Sequence, residues 1–574
     1  MVNLFKKIFK ILPKKDKKYL IFVCVLTLVA AVLETISLGS FIPLIEQFSK
    51  TETTPTLEVI YDIFNISGES NYETLKILTG LIILIFLVKS IFAAFYLWHQ
   101  SKFVFAAKVN ISSSLFENYI NQKYLFHVNK NSSKLITNIN IEVAIFTNVL
   151  MFLIKLFVQL FVAIGIVTLL FYVNKKIAIL LFFSSIIFAI FLYSINKKRF
   201  GALGTSRIKL EEFQNKSLFE SFGAIKEVIL FNIQKLFYNN FHANIGKTAK
   251  TQRHFTFLNN LTRIWYEVFL ILSMVLIILF MTLSGDDNST IMATLGFYLL
   301  AALRLVPSLN EISTGYNYIK FAAPTINLIL EDINLNKDIN ISEKSSNDEK
   351  LYLNDSIEFK NINFSFLNSK PILTNVNFKI HKNDFVAIIG ETGSGKSTVC
   401  DLITGLIKPN SGDIIIDNKK INLENANWKN NIGYVPQKIY LLDDTIEKNV
   451  AISSDKSNID KNKLNLAIKE ANIQSFVSRL PSGINTIVGE NGAKISGGEK
   501  QRIGIARALY RDPDILILDE ATSSLDLATE AGILRALKNF KGKKTVLFIT
   551  HRNVDKSIFN KIFELKNNII KELN

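Results

Sequence analysis

The residues with the most chemical content are Gly390-Glu391-Thr392-Gly393-Ser394-Gly395-Lys396-Ser397, followed by Thr398. Glycines let the backbone turn its N–H groups inward on an anion, Lys396 adds a charge, and Ser397 offers a hydroxyl to a hard cation. A helix opening here points its positive end at a phosphate. The spacing is GxxxxGK[ST], and it follows the apolar run Val386-Ala387-Ile388-Ile389, so a strand, a cradle and a helix are predicted in that order. A chance glycine-rich turn is the competing reading, and the flanking pattern argues against it. A second run, Ile515 to Leu518, ends in Asp519-Glu520. An aspartate at that place can hold the magnesium shell, and the next carboxylate can orient or deprotonate the attacking water. Thr522 to Asp526 and Ile549-Thr550-His551 follow, with His551 placed to reach a γ-phosphate. The implied chemistry is hydrolysis of a nucleoside triphosphate with Mg2+, with Lys396, Glu520 and His551 as its reacting-centre residues and Ser397 and Asp519 on the metal.

Between these elements, Ile495-Ser496-Gly497-Gly498-Glu499-Lys500-Gln501-Arg502 opens a helix and resembles the signature sequence of ABC-transporter ATPases, LSGGQ standing here as ISGGE. Gln437 in Val435-Pro436-Gln437 is similar to the Q-loop of that family, which touches the metal and the reacting water, and Phe366 stands where an aromatic residue stacks on adenine. Val488-Gly489-Glu490 resembles the loop that meets a partner's coupling helix in exporters. The resemblance implies that Ser496, Gly497, Gly498, Glu499 and Asp526 complete the nucleotide contacts. It also implies that ATP is sandwiched between two chains. With one ATPase set per chain, the expected partner is a second copy of the same protein.

The elements that must carry this machinery divide the 574 residues in two. A composition of 49% hydrophobic and 20% charged residues is too apolar for an ordinary soluble protein. Apolar runs at about 19–45, 74–98, 143–173, 176–195, 266–283 and 290–306 are each near or above the roughly 20 residues that span hydrocarbon. Six crossings are predicted. Lys6, Lys7, Lys10, Lys14, Lys15, Lys17 and Lys18 precede the first, whose length exceeds that of a cleavable signal. Between the first two crossings lie Glu52, Glu58, Asp62, Glu69 and Glu73 against the single Lys50, so charge asymmetry puts both termini in the cytoplasm. Most of the net charge of +17 is then membrane-flanking, and no nucleic-acid partner is expected. Cys24 and Cys400 lack the spacing of a disulfide framework or zinc module.

The expected fold is a multi-domain membrane protein: a six-helix transmembrane domain over 1–333 with long cytoplasmic helical extensions, a polar linker over 334–352, and an α/β P-loop ATPase domain over 353–574. Coupling helices are expected near Asn129 to Asn140 and Ser221 to Phe231. The location implied is a bacterial cytoplasmic membrane.

The cargo is sought among ionisable residues within the apolar runs. Lys89 and Arg304 sit roughly 21 to 23 Å below the outer ends of their helices and Arg263 about 33 Å below its own, at 1.5 Å per residue. Three bases can hold an anionic headgroup such as a pyrophosphate. The bland alternative is snorkelling or pairing with Glu34, Glu267 and Glu311. Leu33-Glu34-Thr35 through Phe41-Ile42-Pro43, and Ala302 to Asn310, resemble bacterial ABC flippases of lipid-linked oligosaccharides, which implies a polyprenyl-pyrophosphate-linked oligosaccharide turned to the outer leaflet. Exporters of lipid A, drugs or peptides are alternatives, as are an ATP-gated channel and a regulatory membrane ATPase. Leu57, Ile60, Tyr61 and Phe64 predict a short outer helix with an apolar stripe. Asn65-Ile66-Ser67 is a sequon that chance explains in so Asn-rich a chain.

Overall fold

The computed structural model describes residues 2–44, 71–196, 199–285, 288–335, 351–366, 370–421, 423, 426–452, 459–521, 527–551 and 556–573. The outer helix expected over 57–64, the Asn65 sequon, the linker over 336–350 and Asp526 lie outside them. The chain divides into two units, one of Met1–Gln122 with Asn129–Ile339 and one of Lys123–Val128 with Asn340–Asn574.

The first unit is helical, and the chain from Val2 to Asn334 runs through α1 (Val2–Ile11), α2 (Lys14–Gly39), α3 (Asn71–Ile120), α4 (Tyr124–Asn129, which groups with the second unit in all but its last residue), α5 (Ser132–Thr137), a π-helical turn (Asn138–Glu142), α6 (Val143–Val173), α7 (Lys175–Asn196), α8 (Arg199–Gly223), α9 (Ile225–Leu230), α10 (Gln234–Ser284), α11 (Asn288–Phe321) and α12 (Ala323–Asn334). Six of the described helices are long and apolar enough to cross a membrane, within Lys14–Leu44, Leu75–Ile120, Ser132–Tyr172, Lys175–Leu192, Gln234–Ser284 and Thr294–Phe321. The helical extensions read from the sequence are real. α3 runs 50 residues and α10 runs 51, each well past its apolar window. Gly285 stops α10 in the left-handed region (φ 76°), where its N–H closes on the carbonyls of Met281 and Thr282.

A buried ion-pair cluster joins α8, the π-helical turn and α12. Arg207 on α8 is 2% exposed. Its Nη1 and Nη2 donate to Glu142 Oε1 and Oε2 at 3.1 and 2.8 Å, and Nη1 also reaches Glu211 at 2.6 Å. Thr325 on α12 accepts from Nη2 at 2.7 Å and donates to Glu142 Oε2 at 2.6 Å. Burial pushes the Glu211 carboxyl up, Arg207 pulls it down, and the Glu142 charge raises it again. One turn earlier in the π segment, Asn138 donates to Asp332 of α12 at 2.8 Å, and Tyr119 donates to the same oxygen. α8 also approaches the end of α11 closely: a Cβ at Gly204 would lie 1.9 Å from the Phe321 carbonyl oxygen.

The expectation of a coupling helix near Asn129 to Asn140 is corrected. That stretch is mostly α5 and the π turn, tied into the first unit through Asn138. The segment that groups with the second unit is Lys123–Val128, whose Leu125 packs against an apolar core there. α3 ends at Ile120, with a break at Asn121-Gln122. The other expected stretch contains α9, with Phe222, Ile229, Leu230 and Phe231 exposed.

The second unit has two sheets. β1 (Ser356–Phe364), β2 (Leu373–His381), β4 (Ser411–Ile416) and β5 (Lys419–Lys420) form an antiparallel sheet in the order β2-β1-β4-β5. β3 (Phe385–Ile389), β6 (Ile432–Val435), β7 (Ile515–Asp519), β8 (Thr545–Thr550), β9 (Lys561–Lys566) and β10 (Ile569–Leu573) form a sheet in the order β10-β9-β3-β8-β7-β6, parallel except for β10. β7 and β8 are buried along their whole length, as strands covered on both faces must be. Phe385, Leu516 and Phe548 face one apolar core, and Val386, Ile517 and Leu547 face the other. The main helices bearing on the site are α13 (Lys396–Ile403) and α14 (Gly497–Tyr510).

Breaking a fully buried ion pair from one side costs about 3–5 kcal/mol. Glu142→Ala is therefore expected to lower the melting temperature of the detergent-solubilised protein by several degrees, whereas Glu212→Ala, which loses only an exposed pair with Lys134, leaves it unchanged. Identical melting curves for the two variants would contradict a structural role for the Arg207 cluster.

Candidate nucleotide and membrane sites

The parallel sheet brings the sequence-distant residues to one end of its strands. β3 delivers the glycine loop, and Gly393 and Gly395 adopt φ of 83° and 102°, which favour glycine. A Cβ at Gly390 would meet the Leu565 carbonyl at 2.5 Å, so this position also needs glycine for close packing. Lys396 is buried and donates from Nζ to the carbonyls of Gly390 and Glu391, both at 2.9 Å. Ser394 Oγ is buried without a hydrogen-bond partner among the described residues. An orphan hydroxyl and an ammonium folded over a loop of left-handed glycines form a fitting cradle for an anion. Glu391 and Thr392 are exposed on its rim, and Thr398 is buried in the first turn of α13.

Ser397 Oγ donates to Asp519 Oδ1 at 3.2 Å. A hydroxyl and a carboxylate this close are oxygen donors suited to Mg2+, which keeps waters and shares its shell with phosphates. Burial raises the Asp519 carboxyl, and the hydrogen bonds from Ser397 and Tyr434 pull it back down. Asp401, on α13, is pushed up to about 6 by burial first and by Asp519 second.

Glu520 is the hub of the other half. It holds φ at 46°, unusual for a side chain of this size, with its N–H on the Ile549 carbonyl at 3.0 Å. Gln437 Nε2 donates to Glu520 Oε2 at 2.7 Å, which leaves the Gln437 amide oxygen as the end able to face a cation. Lys396 Nζ and His551 Nδ1 lie 3.7 and 3.6 Å from Glu520 Oε1. Lys396, Ser397, Gln437, Asp519, Glu520 and His551 therefore form one connected cluster. Phe366 meets Phe364 edge-on at 5.1 Å.

The signature segment is built separately. Ser496 caps α14: its Oγ accepts from the Glu499 N–H at 3.3 Å, and the Glu499 carboxylate accepts from the Ser496 N–H at 2.8 Å. That reciprocal box explains why a glutamate is accommodated where the family pattern has glutamine. No described hydrogen bond or ion pair joins Ser496 to Glu499 with the Lys396 cluster.

With this geometry in place, comparison with known proteins is decisive. Residues 18–304 match the family model of the ABC transporter transmembrane region, and residues 373–523 match the ABC transporter model. The chain belongs to the ABC transporter family. It is 38% identical over 261 residues to an ATP-dependent lipid A-core flippase of Wigglesworthia glossinidia brevipalpis, covering 44% of this chain and 43% of that protein. It is 39% identical over 262 residues to ABC transporter B family member 14 of Arabidopsis thaliana, covering 44% and 20%. The chain thus spans less than half the length of these two relatives. A solved structure of a bacterial Atm1-family ABC exporter with ATP bound superposes with a TM-score of 0.77 at 22% identity, over 95% of this chain and 94% of that one. The fold is that of ABC exporters, and the nucleotide unit is one that uses ATP with Mg2+.

In the membrane half, Lys89 donates to Glu34 Oε1 at 2.8 Å, and Arg304 Nε lies 2.8 Å from the same oxygen. α2, α3 and α11 are thereby brought to one carboxylate. Arg263 is not in this group: it is 70% exposed and pairs with Glu267 one turn along α10. Glu311 accepts from Gln159 at 3.2 Å, and Ser308 donates to Gln159 at 2.8 Å. Lys155, one turn from Gln159 on α6, is half-buried with no hydrogen bond or ion pair among the described residues. Sequence reasoning passed over it, although a lysine inside the run from Val143 to Val173 was signal enough.

Glu520→Gln keeps the reach to Gln437 and removes the charge facing Lys396. ATP hydrolysis by the purified protein is expected to fall by about 10²–10⁴-fold with nucleotide still bound, whereas Lys396→Ala weakens nucleotide binding itself. Near-normal hydrolysis by Glu520→Gln would take the water-activating role away from that residue.

Proposed function

We propose that the protein is one half of a homodimeric, ATP-driven flippase that turns a lipid with a phosphate-bearing headgroup from the inner to the outer leaflet of a bacterial cytoplasmic membrane, with both termini in the cytoplasm. The observation that carries the substrate class is the pairing of two cations, Lys89 and Arg304, with the single carboxylate of Glu34. Among the described residues the trio carries a net positive charge at membrane depth, and an anionic headgroup is the natural counter-charge. Lys155 adds a third base. Arg263, exposed near the polar end of its apolar run, is assigned to the entrance of the same path. A polyprenyl-pyrophosphate-linked oligosaccharide has this chemistry. So does lipid A, and the lipid A-core flippase among the relatives supports that second reading at least as well.

ATP is held by Lys396, Ser394 and the glycine loop, with Phe366 against the adenine, Mg2+ by Ser397, Asp519 and Gln437, and the signature residues Ser496 to Glu499 and Asp526 come from the partner. Glu520 orients the water, Gln437 and His551 orient Glu520 and the terminal phosphate, and Lys396 offsets charge. The exposed apolar side chains Phe222, Ile229, Leu230 and Phe231 support a second copy as the surface that covers α9.

Two measurements test this. In proteoliposomes, Lys89→Ala with Arg304→Ala, combined with Glu34→Gln so that no carboxylate stays unpaired, is expected to abolish flipping and lipid-stimulated hydrolysis while basal hydrolysis survives. Flipping of both phosphoglycolipids at the wild-type rate would defeat the headgroup assignment, and activity on lipid A alone would select the second reading. For assembly, mixing inactive Lys396→Ala and Ser496→Arg chains is expected to restore measurable hydrolysis, because mixed dimers keep one intact composite site. Full activity of a strictly monomeric preparation would rule out the shared site.

A further inference from the structure

β6 ends in Tyr434-Val435 just before Pro436-Gln437, and in the parallel β6–β7 register Tyr434 stands beside Ile517 and Val435 beside Leu518. Side chains alternate across a strand, so Tyr434, Ile517 and Asp519 share one face of the sheet. The tyrosine is long enough to reach forward along that face. Its hydroxyl donates to Asp519 Oδ2 at 3.3 Å, while Ser397 donates to Oδ1 at 3.2 Å. Each carboxylate oxygen thus has its own donor, in a position that is 3% exposed and has little water to substitute for either. The same strand and its exit serve both acids of the site: Tyr434 holds Asp519, and three residues later Gln437 holds Glu520.

We infer that Tyr434 is a positioning residue of the cation site, whose hydroxyl fixes the rotation of the Asp519 carboxylate so that the oxygen shared with Ser397 is presented to the divalent ion. The alternative role is core filling, because Tyr434 also packs against the apolar cluster on that side of the sheet. Tyr434→Phe separates the two: it keeps the ring and removes only the donor. The inference rests on the assignment of ATP with Mg2+ to this site.

The test uses the full-length protein in detergent with Mn2+ as the metal probe. Free Mn2+ is followed by electron paramagnetic resonance in the presence of ADP, and a fluorescent ADP analogue is titrated in EDTA. For Tyr434→Phe, the Mn2+ dissociation constant is expected to rise about 5–10-fold, the loss of one hydrogen bond to a charged group. Metal-free nucleotide affinity should stay within twofold and the melting curve should not move. In an Asp519→Asn background the same change is expected to add less than twofold, since the group whose rotation is set no longer carries the charge. Mn2+ affinity within twofold of wild type, an equal loss of metal-free nucleotide affinity, or full additivity with Asp519→Asn would each overturn the positioning role. Failure of the wild-type protein to bind Mn2+ with ADP would instead overturn the nucleotide-site reading on which the inference stands.

Discussion

Hydrocarbon offers a backbone amide no partner, and that constraint organises this protein. A chain that crosses six times must carry every N–H and C=O inside its own helices. Once wound, a helix continues cheaply into water, which is why α3 and α10 run 50 and 51 residues without interruption. The continuation of α3 buries Phe103, Val104, Ala107, Ile111 and Leu115. Around it, directional polar contacts fix the neighbouring elements: the Arg207 fork between Glu142, Glu211 and Thr325, and the Asp332 carboxylate between Asn138 and Tyr119. Both knots fasten α12, the last helix before the linker. Geometry is fixed there because a buried charge tolerates few alternative partners.

The nucleotide unit solves the opposite problem, since it must keep backbone groups available. Left-handed glycines and an orphan Ser394 hydroxyl hold donors ready for an anion, and a parallel sheet buried on both faces supplies the stiffness that keeps them so. The strained φ of Glu520 belongs to the same logic. A carboxylate reaching Gln437, Lys396 and His551 at once leaves the backbone little choice of direction.

What could be read from the sequence followed the range of the physics. The glycine loop, Asp519-Glu520 and the apolar spans are local patterns, and the structure assembles them as read. The antiparallel sheet was not foreseen, because bulges near Ile362 break the alternation that would have announced β1. Pairing with Glu34 and Glu267 was the alternative read for the three bases, and the structure shows it; that Lys89 and Arg304 share Glu34 while Arg263 takes Glu267 depends on how the helices rotate against one another, which no spacing encodes. Tyr434 escaped for a related reason: its partner is set by strand register with β7, some 85 residues away. The segment that groups with the nucleotide unit, Lys123–Val128, begins a few residues before the stretch expected, because a helix break at Asn121-Gln122 has no glycine or proline to mark it.

From Ser132 to Val173 the chain forms one rod, yet it is not one helix, for the π turn at Asn138–Glu142 carries an extra residue in its middle. One residue is worth about 100° of rotation, so the two ends of the rod are out of phase. Below the turn, Thr137 is presented to Asn215 of α8. Above it, Gln159 is presented to Ser308 and Glu311 of α11. The rod therefore behaves as a keyed shaft: a twist applied at its short end arrives at the bundle already offset, and the angle between the two sets of contacts is written into the length of the chain.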